Sequence, residues 1–359
     1  MKIELISMQR VFNHGSFLQA YALKKMLSTY ADDVRFGDIL PGISNDTSSQ
    51  KFSEVHDIPK LRYYWIRVLD KIQIYKLKQL QRSVLEVDNH FSENENKDIA
   101  FIGSDEMFNC LAPSPWGISE QLFGKVPNTK RVYTYAVSCG HTTFDKVPSQ
   151  YQDYLKSAIS NIQTISVRDE NTADFVRALS DREPQYNLDP VLIYDFKSEL
   201  VDLNISKKYL LVYSYSNRIC DTSEIQEIKK FAEKHKLQIV GAGVFQYWCD
   251  KNIVVSPFEL LGYFKNAHYV VTDTFHGAVI SIKYNKAFAA FIRKSNEKKL
   301  RDLLLRLSMD SRVVQRADEL DSILEKDVDY TKTNEILAYA RNSAMEYLRK
   351  SIEEVKQSE

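Results

Sequence analysis

Five short stretches of this 359-residue chain carry side chains that a turn alone would not require. Asn13-His14-Gly15-Ser16 leads into the helical run Phe17-Leu18-Gln19-Ala20; Gly15 permits close approach of backbone to a ligand, and Ser16 is a capping residue type. Exposed N–H groups and the dipole of such a helix start favour an anion or a sugar hydroxyl, although the same residues also make a common turn and cap. Gly103-Ser104-Asp105-Glu106 follows Phe101-Ile102. There Asp105 could orient or deprotonate a hydroxyl, or Asp105 and Ser104 could simply satisfy helix donors. Arg168-Asp169-Glu170 follows Ile165-Ser166-Val167; Arg168 can grip a carboxylate or phosphate with two parallel hydrogen bonds, or pair with Asp169, Glu170 or a facing domain. In Thr272-Asp273-Thr274-Phe275-His276-Gly277, Asp273 or Thr274 can cap a helix whose first turn holds His276. The positive helix end disfavours an imidazolium and so suits His276 to accept a proton; a structural histidine is the alternative. Arg293, beside Lys294, is a second anion grip or a surface cation ending a strand.

All five stretches fall at ends of short β-rich runs. Such runs occupy residues 3–6, 99–102, 131–138, 164–167, 209–213, 238–240, 269–272 and 287–292, separated by helical patterns such as 16–29, 224–235 and 257–266. The alternation predicts an α/β chain of parallel sheets flanked by helices, two Rossmann-like domains, with ligands beyond the carboxyl ends of the strands. The polar run DFKSELVDLNISKK marks a boundary near 194–208, giving domains at 1–195 and 205–330. From about Lys332, apolar residues at Leu337, Ala340, Met345, Leu348, Ile352 and Val355 predict one amphipathic helix within 331–359.

Composition narrows the partners. With 48 Lys+Arg and 48 Asp+Glu the chain lacks the surplus positive charge that a nucleic-acid binder needs. The four cysteines, Cys110, Cys139, Cys220 and Cys249, form no CxxC pair or metal spacing, so no metal centre is expected. No apolar run reaches the ~18 residues needed to cross a bilayer, and the N-terminal apolar stretch is too short for a signal peptide, which together point to a cytoplasmic protein. Between Lys60 and Arg82, however, seven basic residues stand against the single acid Asp70, while Leu61, Trp65, Val68, Ile72 and Tyr75 recur at helical spacing. Such a helix either packs on the domain as a solvated element, neutralised by Glu86, Asp88, Glu93, Glu95 and Asp98, or lies on an anionic membrane. There is no Walker loop or complete GxGxxG; Gly241-Ala242-Gly243 is only a fragment of a dinucleotide fingerprint.

The motifs, taken in order, resemble the polysaccharide pyruvyl transferase family. The resemblance runs through residues 13–23, Phe101-Ile102-Gly103-Ser104-Asp105, Tyr135-Ala136-Val137-Ser138-Cys139-Gly140, Ile165-Ser166-Val167-Arg168-Asp169 and Leu188-Asp189-Pro190. It continues through Ser256-Pro257-Phe258-Glu259-Leu260-Leu261 and is strongest at 270–277, followed by Asn285-Lys286-Ala287-Phe288. It implies a GT-B-like fold, with the C-terminal helix returning to the first domain. It also implies transfer of the pyruvyl group of phosphoenolpyruvate, as co-substrate and without another cofactor, onto two hydroxyls of one sugar as a cyclic ketal. The acceptor would be a cell-surface polysaccharide or its lipid-linked precursor, met at the inner face of the plasma membrane if residues 60–82 touch lipid. By the same implication Arg168 binds the donor and His276 is the catalytic histidine. A donor with two anionic groups needs two cations, expected at Arg168 and Arg293, with Thr274 and Gly277 adding backbone donors. Asp105 is expected to orient the acceptor, alongside Asn13, Gly15, Ser16 and Ser104. The chain departs from the family pattern at Thr274, where an arginine is usual, at His14, where an aromatic residue is usual, and at Glu106 and Phe108, in place of Gln and Trp. A GT-B glycosyltransferase with a nucleotide-sugar donor, or a non-catalytic glycan-binding or assembly protein of the same fold, would carry many of the same residues.

Overall fold

Apolar runs of four or five residues need cover on both faces, which a parallel sheet between helix layers supplies. In the computed structural model, which describes residues 1–43, 60–92, 94–216 and 218–357, such runs form the centres of two parallel sheets. The first sheet contains β1 (Lys2–Ile6), β2 (Asp33–Gly37), β3 (Lys97–Asp105), β4 (Thr129–Val137), β5 (Ile162–Thr164), β6 (Ser166–Val167) and β7 (Gln185–Tyr186). Their order is β2-β1-β3-β4-β6-β7, with β5 also beside β4. Helices α1 (His14–Leu27), α2 (Lys60–Ser83), α3 (Ser149–Ile159), α4 (Glu170–Ser180) and the short α5 (Pro190–Ile193) accompany it. The second sheet comprises β8 (Tyr209–Tyr213), β9 (Gln238–Ala242), β10 (Lys251–Ile253), β11 (Tyr269–Thr272), β12 (Ala287–Phe291) and β13 (Val313–Val314), in the order β10-β9-β8-β11-β12-β13. Between and after these strands run α6 (Thr222–Lys234), α7 (Pro257–Asn266), α8 (Phe275–Lys283), α9 (Glu297–Arg306), α10 (Leu320–Glu325) and α11 (Thr331–Lys356).

The central strands lie where alternation predicts them, but 164–167 is not one strand. The Thr134 hydroxyl accepts from the Ser166 N–H at 2.6 Å and donates to the Ser166 carbonyl at 3.0 Å, so a side chain stands in for ladder bonds and β4 pairs two separate short strands. The edge strands β2, β7, β10 and β13 are short or polar and lack the periodicity that identifies a strand in sequence.

Each sheet has a core of its own on one face, and on the other the two sheets share one. One apolar cluster runs from Leu5 and Leu18 of the first sheet and its helix through to Val270 and Ile280 of the second. Ring contacts of Phe258 with Phe17 (5.9 Å) and Tyr21 (5.1 Å) join α7 to α1. Helix α11 leaves the second sheet, where the Thr333 hydroxyl bonds the Leu307 carbonyl at 2.7 Å, and returns to the first. There Arg341 donates to the Ile193 carbonyl at 2.9 Å, and the buried Tyr347 hydroxyl donates to Thr134 at 2.6 Å and Thr164 at 3.3 Å.

Helix α2 packs on the protein through a face other than the apolar stripe. Ile66, Leu69, Gln73, Leu77 and Gln81 are its buried residues, whereas Leu61, Trp65, Val68, Ile72 and Tyr75 all face outward. The reason lies in the polar anchor: Gln73 donates to the Val255 carbonyl at 2.8 Å and accepts from its N–H at 3.0 Å, fixing the helix's rotation. Neutralisation by the following acids reaches only Arg82, 3.3 Å from Asp88; Glu93 lies outside the described residues. No helix among the described residues is long and apolar enough to cross a membrane.

Tyr347→Phe leaves a buried and a half-buried carbonyl short of a donor, so its urea-unfolding free energy is expected to fall by about 1–3 kcal/mol.

Candidate active site

Two helix starts from opposite domains meet at the centre of the molecule. Asn13, in extended conformation, caps α1: its Oδ1 accepts from the N–H groups of Gly15 (2.7 Å) and Ser16 (3.3 Å), while its amide donates to the Tyr215 hydroxyl across the cleft at 2.6 Å. Thr274 caps α8 in the same way, its hydroxyl accepting from the Gly277 N–H at 2.9 Å. That bond leaves Phe275 and His276 to present the free first-turn donors of α8, and not Gly277 as expected. The two starts are in contact: a Cβ added to Gly15 would come within 2.2 Å of His276 Nδ1, so only glycine lets the imidazole lie there. Two positive helix ends therefore converge on one spot.

Beneath them lies a buried ion network. Arg168, at the end of β6, donates to Asp189 at 3.0 Å and to Asp105 at 3.3 Å, with its guanidinium 4.3 Å from the Phe275 ring centre. The Ser16 hydroxyl donates to the other oxygen of Asp105 at 3.0 Å, and His276 Nε2 stands 3.5 Å from Asp189. Burial alone would raise the Asp105 carboxyl, but the charges of Arg168, His276 and Lys299 outweigh it and hold the group below its ordinary value. Asp189 is likewise held low against burial, chiefly by His276 and Arg168. Asp105 has a φ of 87°, in the left-handed region that a non-glycine residue adopts only when its surroundings over-determine it.

Above the network opens a cavity of about 350 Å³ whose wall includes Asn13, Ser16, Asp105, Thr274 and His276. A second cavity of about 650 Å³ adjoins it on the first domain, sharing Met8, Val11, Glu106 and Asn109 and extending to Arg10 and Trp116.

Several expected site residues point elsewhere. Ser104 is fully buried and donates to Gln19 at 3.0 Å inside the first domain, away from any acceptor. Arg293 is held by both oxygens of Glu224, at 2.8 and 2.7 Å, and by Asp273 at 3.1 Å, which fastens its guanidinium outside the cavity wall. Arg168 also stays out of that wall, since two carboxylates and Phe275 enclose it. His14 is buried with Nε2 3.2 Å from the Val255 carbonyl; burial pushes its pKa down to about 4. It packs against Gly243, so this glycine makes room for a histidine and not for a dinucleotide.

The cations that do line the cavity are Arg218 and Lys299. Arg218 donates weakly to the Asp273 carbonyl and the Ser295 hydroxyl, both at 3.4 Å, and stacks 4.6 Å from the Tyr215 ring centre. Among the described residues no carboxylate pairs with it. Its position in the loop after β8, at a strand's carboxyl end, was a readable signal. Lys299, from the first turn of α9, pairs with Glu106 across the cleft and had no local signal. Asp189 was visible only as part of Leu188-Asp189-Pro190. Among the described residues, one group able to hold a metal ion, His235 with Asp321 and Glu325, lies outside the cavity wall, and Lys234 already bonds both carboxylates, at 2.9 and 2.8 Å.

A carboxyl whose folded pKa is depressed stabilises the fold fully above its unfolded value, and that stabilisation disappears as pH falls through the folded one. At pH 7 Asp105→Ala is expected to unfold about 3–5 kcal/mol more easily than the parent, because Arg168 loses one of its two counter-charges. Below the ordinary 3.8 of an aspartate the gap should close, as urea titrations across pH 2–7 would record.

Comparison with known proteins agrees with this architecture. The chain covers 99% of its own length and 98% of the kitacinnamycin glycotransferase in a superposition with a TM-score of 0.50 at 10% identity, a likeness of fold. Arabidopsis thaliana UGT89C1, solved with quercetin, gives 0.47 at 10% identity over 99% of both chains. An O-GlcNAc transferase mutant from Thermobaculum terrenum gives 0.44 at 10% identity, and the whole of this chain spans 66% of that protein. The shared architecture is GT-B: two facing parallel-sheet domains with the C-terminal helix crossing back. No curated protein sequence matches the chain. The family model for polysaccharide pyruvyl transferase matches residues 13–295, from the cap of α1 to the loop after β12. The chain thus belongs to the polysaccharide pyruvyl transferase family, and with it to the enzymes that transfer pyruvyl groups.

Proposed function

We propose that the enzyme moves the pyruvyl group of phosphoenolpyruvate onto two hydroxyls of one sugar, in a cell-surface polysaccharide or its lipid-linked precursor, as a cyclic ketal. The observation that carries this reading is the convergence of two capped helix starts on a small cavity with Arg218 in its wall and no carboxylate paired to it among the described residues. Phosphoenolpyruvate brings a phosphate and a carboxylate, and both suit N–H donors and a guanidinium. Arg218 reaches the carbonyl of Asp273, next to Thr274, and so supplies at this spot the cation that Thr274 does not.

In the reaction, a sugar hydroxyl adds to the carbon bearing phosphate while the methylene carbon takes a proton. His276 gives that proton and accepts the one released by the attacking hydroxyl, so its ring ends as it began; Asp189 balances its charge meanwhile. Phosphate then departs, the second hydroxyl adds to the same carbon, and its proton leaves with the phosphate. One C–O bond to phosphate and one C=C bond give way to two C–O bonds to the sugar and a methyl group. Asp105 orients the attacking hydroxyl, itself held by Ser16 and Arg168. Arg168 acts through Asp105 and Asp189 and does not grip the donor. Asn13 and the adjoining cavity, with Trp116 and Arg10, take the acceptor chain.

His276→Ala is expected to abolish phosphate release from phosphoenolpyruvate in the presence of acceptor glycan while leaving the circular dichroism spectrum unchanged; undiminished turnover would overturn the mechanism. Arg218→Ala should raise the KM for phosphoenolpyruvate by about 10- to 100-fold, the loss of one or two charge-assisted hydrogen bonds. Arg293→Ala should lower Tm and leave that KM within a few-fold, the opposite pattern. A thermal shift with nucleotide-sugars and none with phosphoenolpyruvate would point to glycosyl transfer instead.

A further inference from the structure

Helix α2 presents a surface that the described residues leave uncovered. Its 24 residues span about 36 Å. Along its outer side Leu61 (88% exposed), Trp65 (59%), Val68, Ile72 and Tyr75 (65%) form one continuous stripe, joined by Tyr64. A helical turn of roughly 100° per residue sets Lys60, Lys71 and Lys78 along one edge of that stripe. All three are exposed, and none is paired with an acid among the described residues. On the opposite side Lys76 is tied to Glu259 at 2.7 Å. Apolar and aromatic residues bordered by lysines, on a helix whose other face is anchored to protein, make an interfacial surface.

We propose that α2 binds the surface of a bilayer containing anionic lipid, its apolar stripe entering the headgroup boundary and its lysines meeting the lipid charge. Charge decides against a second copy of the chain. The 4-3-4-3 spacing would suit a helix pair, but the edge of that seam carries Lys60, Lys71 and Lys78 with no acid among the described residues to answer them, so two copies would repel. An anionic sheet is the complementary partner, and each lysine near it strengthens partition roughly fivefold.

The same helix also touches the catalytic cleft. Gln81 donates to the Val11 carbonyl at 3.0 Å, and Val11 lines both cavities while Phe12 beside it is exposed. A bilayer under α2 therefore lies close to the mouth of the cleft, where the glycan end of a lipid-linked acceptor would enter. That use of the contact rests on the function proposed above; the contact itself needs neither donor nor acceptor.

Sedimentation with vesicles of phosphatidylcholine, alone or mixed with phosphatidylglycerol, tests it. The full chain should sediment with the mixed vesicles, much less with the neutral ones, and less as salt rises. Combined Lys60→Glu, Lys71→Glu and Lys78→Glu substitutions should remove binding to mixed vesicles, and so should Trp65→Ser with Ile72→Ser. Both variants change exposed residues only, so circular dichroism, Tm and phosphate release with a water-soluble acceptor should match the parent. Equal partition into neutral and mixed vesicles, binding that survives both variants, or a concentration-dependent dimer abolished by Trp65→Ser without vesicle binding would each overturn the proposal. Because vesicle binding is measured without substrates, its failure leaves pyruvyl transfer untouched, and failure of pyruvyl transfer leaves it untouched.

Discussion

Arg168 is the group on which the remaining geometry depends. A guanidinium enclosed by protein is tolerable only with counter-charge and hydrogen bonds, and here Asp105 and Asp189 provide both. Those carboxylates come from different parts of the first domain: Asp105 ends β3, and Asp189 caps α5 at the crossing to the second domain. The second domain closes the arrangement with Phe275 over the guanidinium and His276 against Asp189. One cation thus sets the strand ends of the first sheet, the chain's exit from it and the approach of α8. The left-handed backbone of Asp105 is the local cost of pointing its carboxylate at this centre.

Much of this was legible in the sequence where one residue's type fixed its role locally. Thr274, one of two candidate caps, does cap α8, whereas α1 is capped by Asn13, and Ser16, the residue type expected there, lies inside its first turn; Gly15 is marked by its need for space, and the imidazole of His276 takes that space. The central strands were equally plain, because an apolar run between helices has few other fates. What the sequence could not supply were partners distant in the chain. Arg293 reads as an anion grip or a surface cation at a strand end, yet Glu224 of α6 captures it; Ser104 reads as a contact for the acceptor, yet Gln19 draws it inward. The side of α2 that meets protein is hidden from the sequence for a related reason. Hydrophobicity marks the stripe from Leu61 to Tyr75, and a pair of hydrogen bonds from Gln73 to Val255 turns the other face to the protein.

The departures from the family pattern also acquire physical meaning. His14 replaces an aromatic residue and still does an aromatic's work, filling the space above Gly243 with a ring that burial keeps neutral. Glu106 takes up Lys299 of the facing domain. Phe108 stacks on Phe123 with ring centres 4.7 Å apart and needs no indole nitrogen there.

The apolar cluster that passes without interruption from the first sheet to the second has a mechanical consequence. A hinge requires a plane along which few contacts must break, and the rings of Phe17, Tyr21 and Phe258 fill the plane where one would lie. Opening the two halves like a book would expose that oil to water at every turnover. Traffic through the cleft then falls to the side chains that line it, among them the paired Lys299 and Glu106 from facing domains.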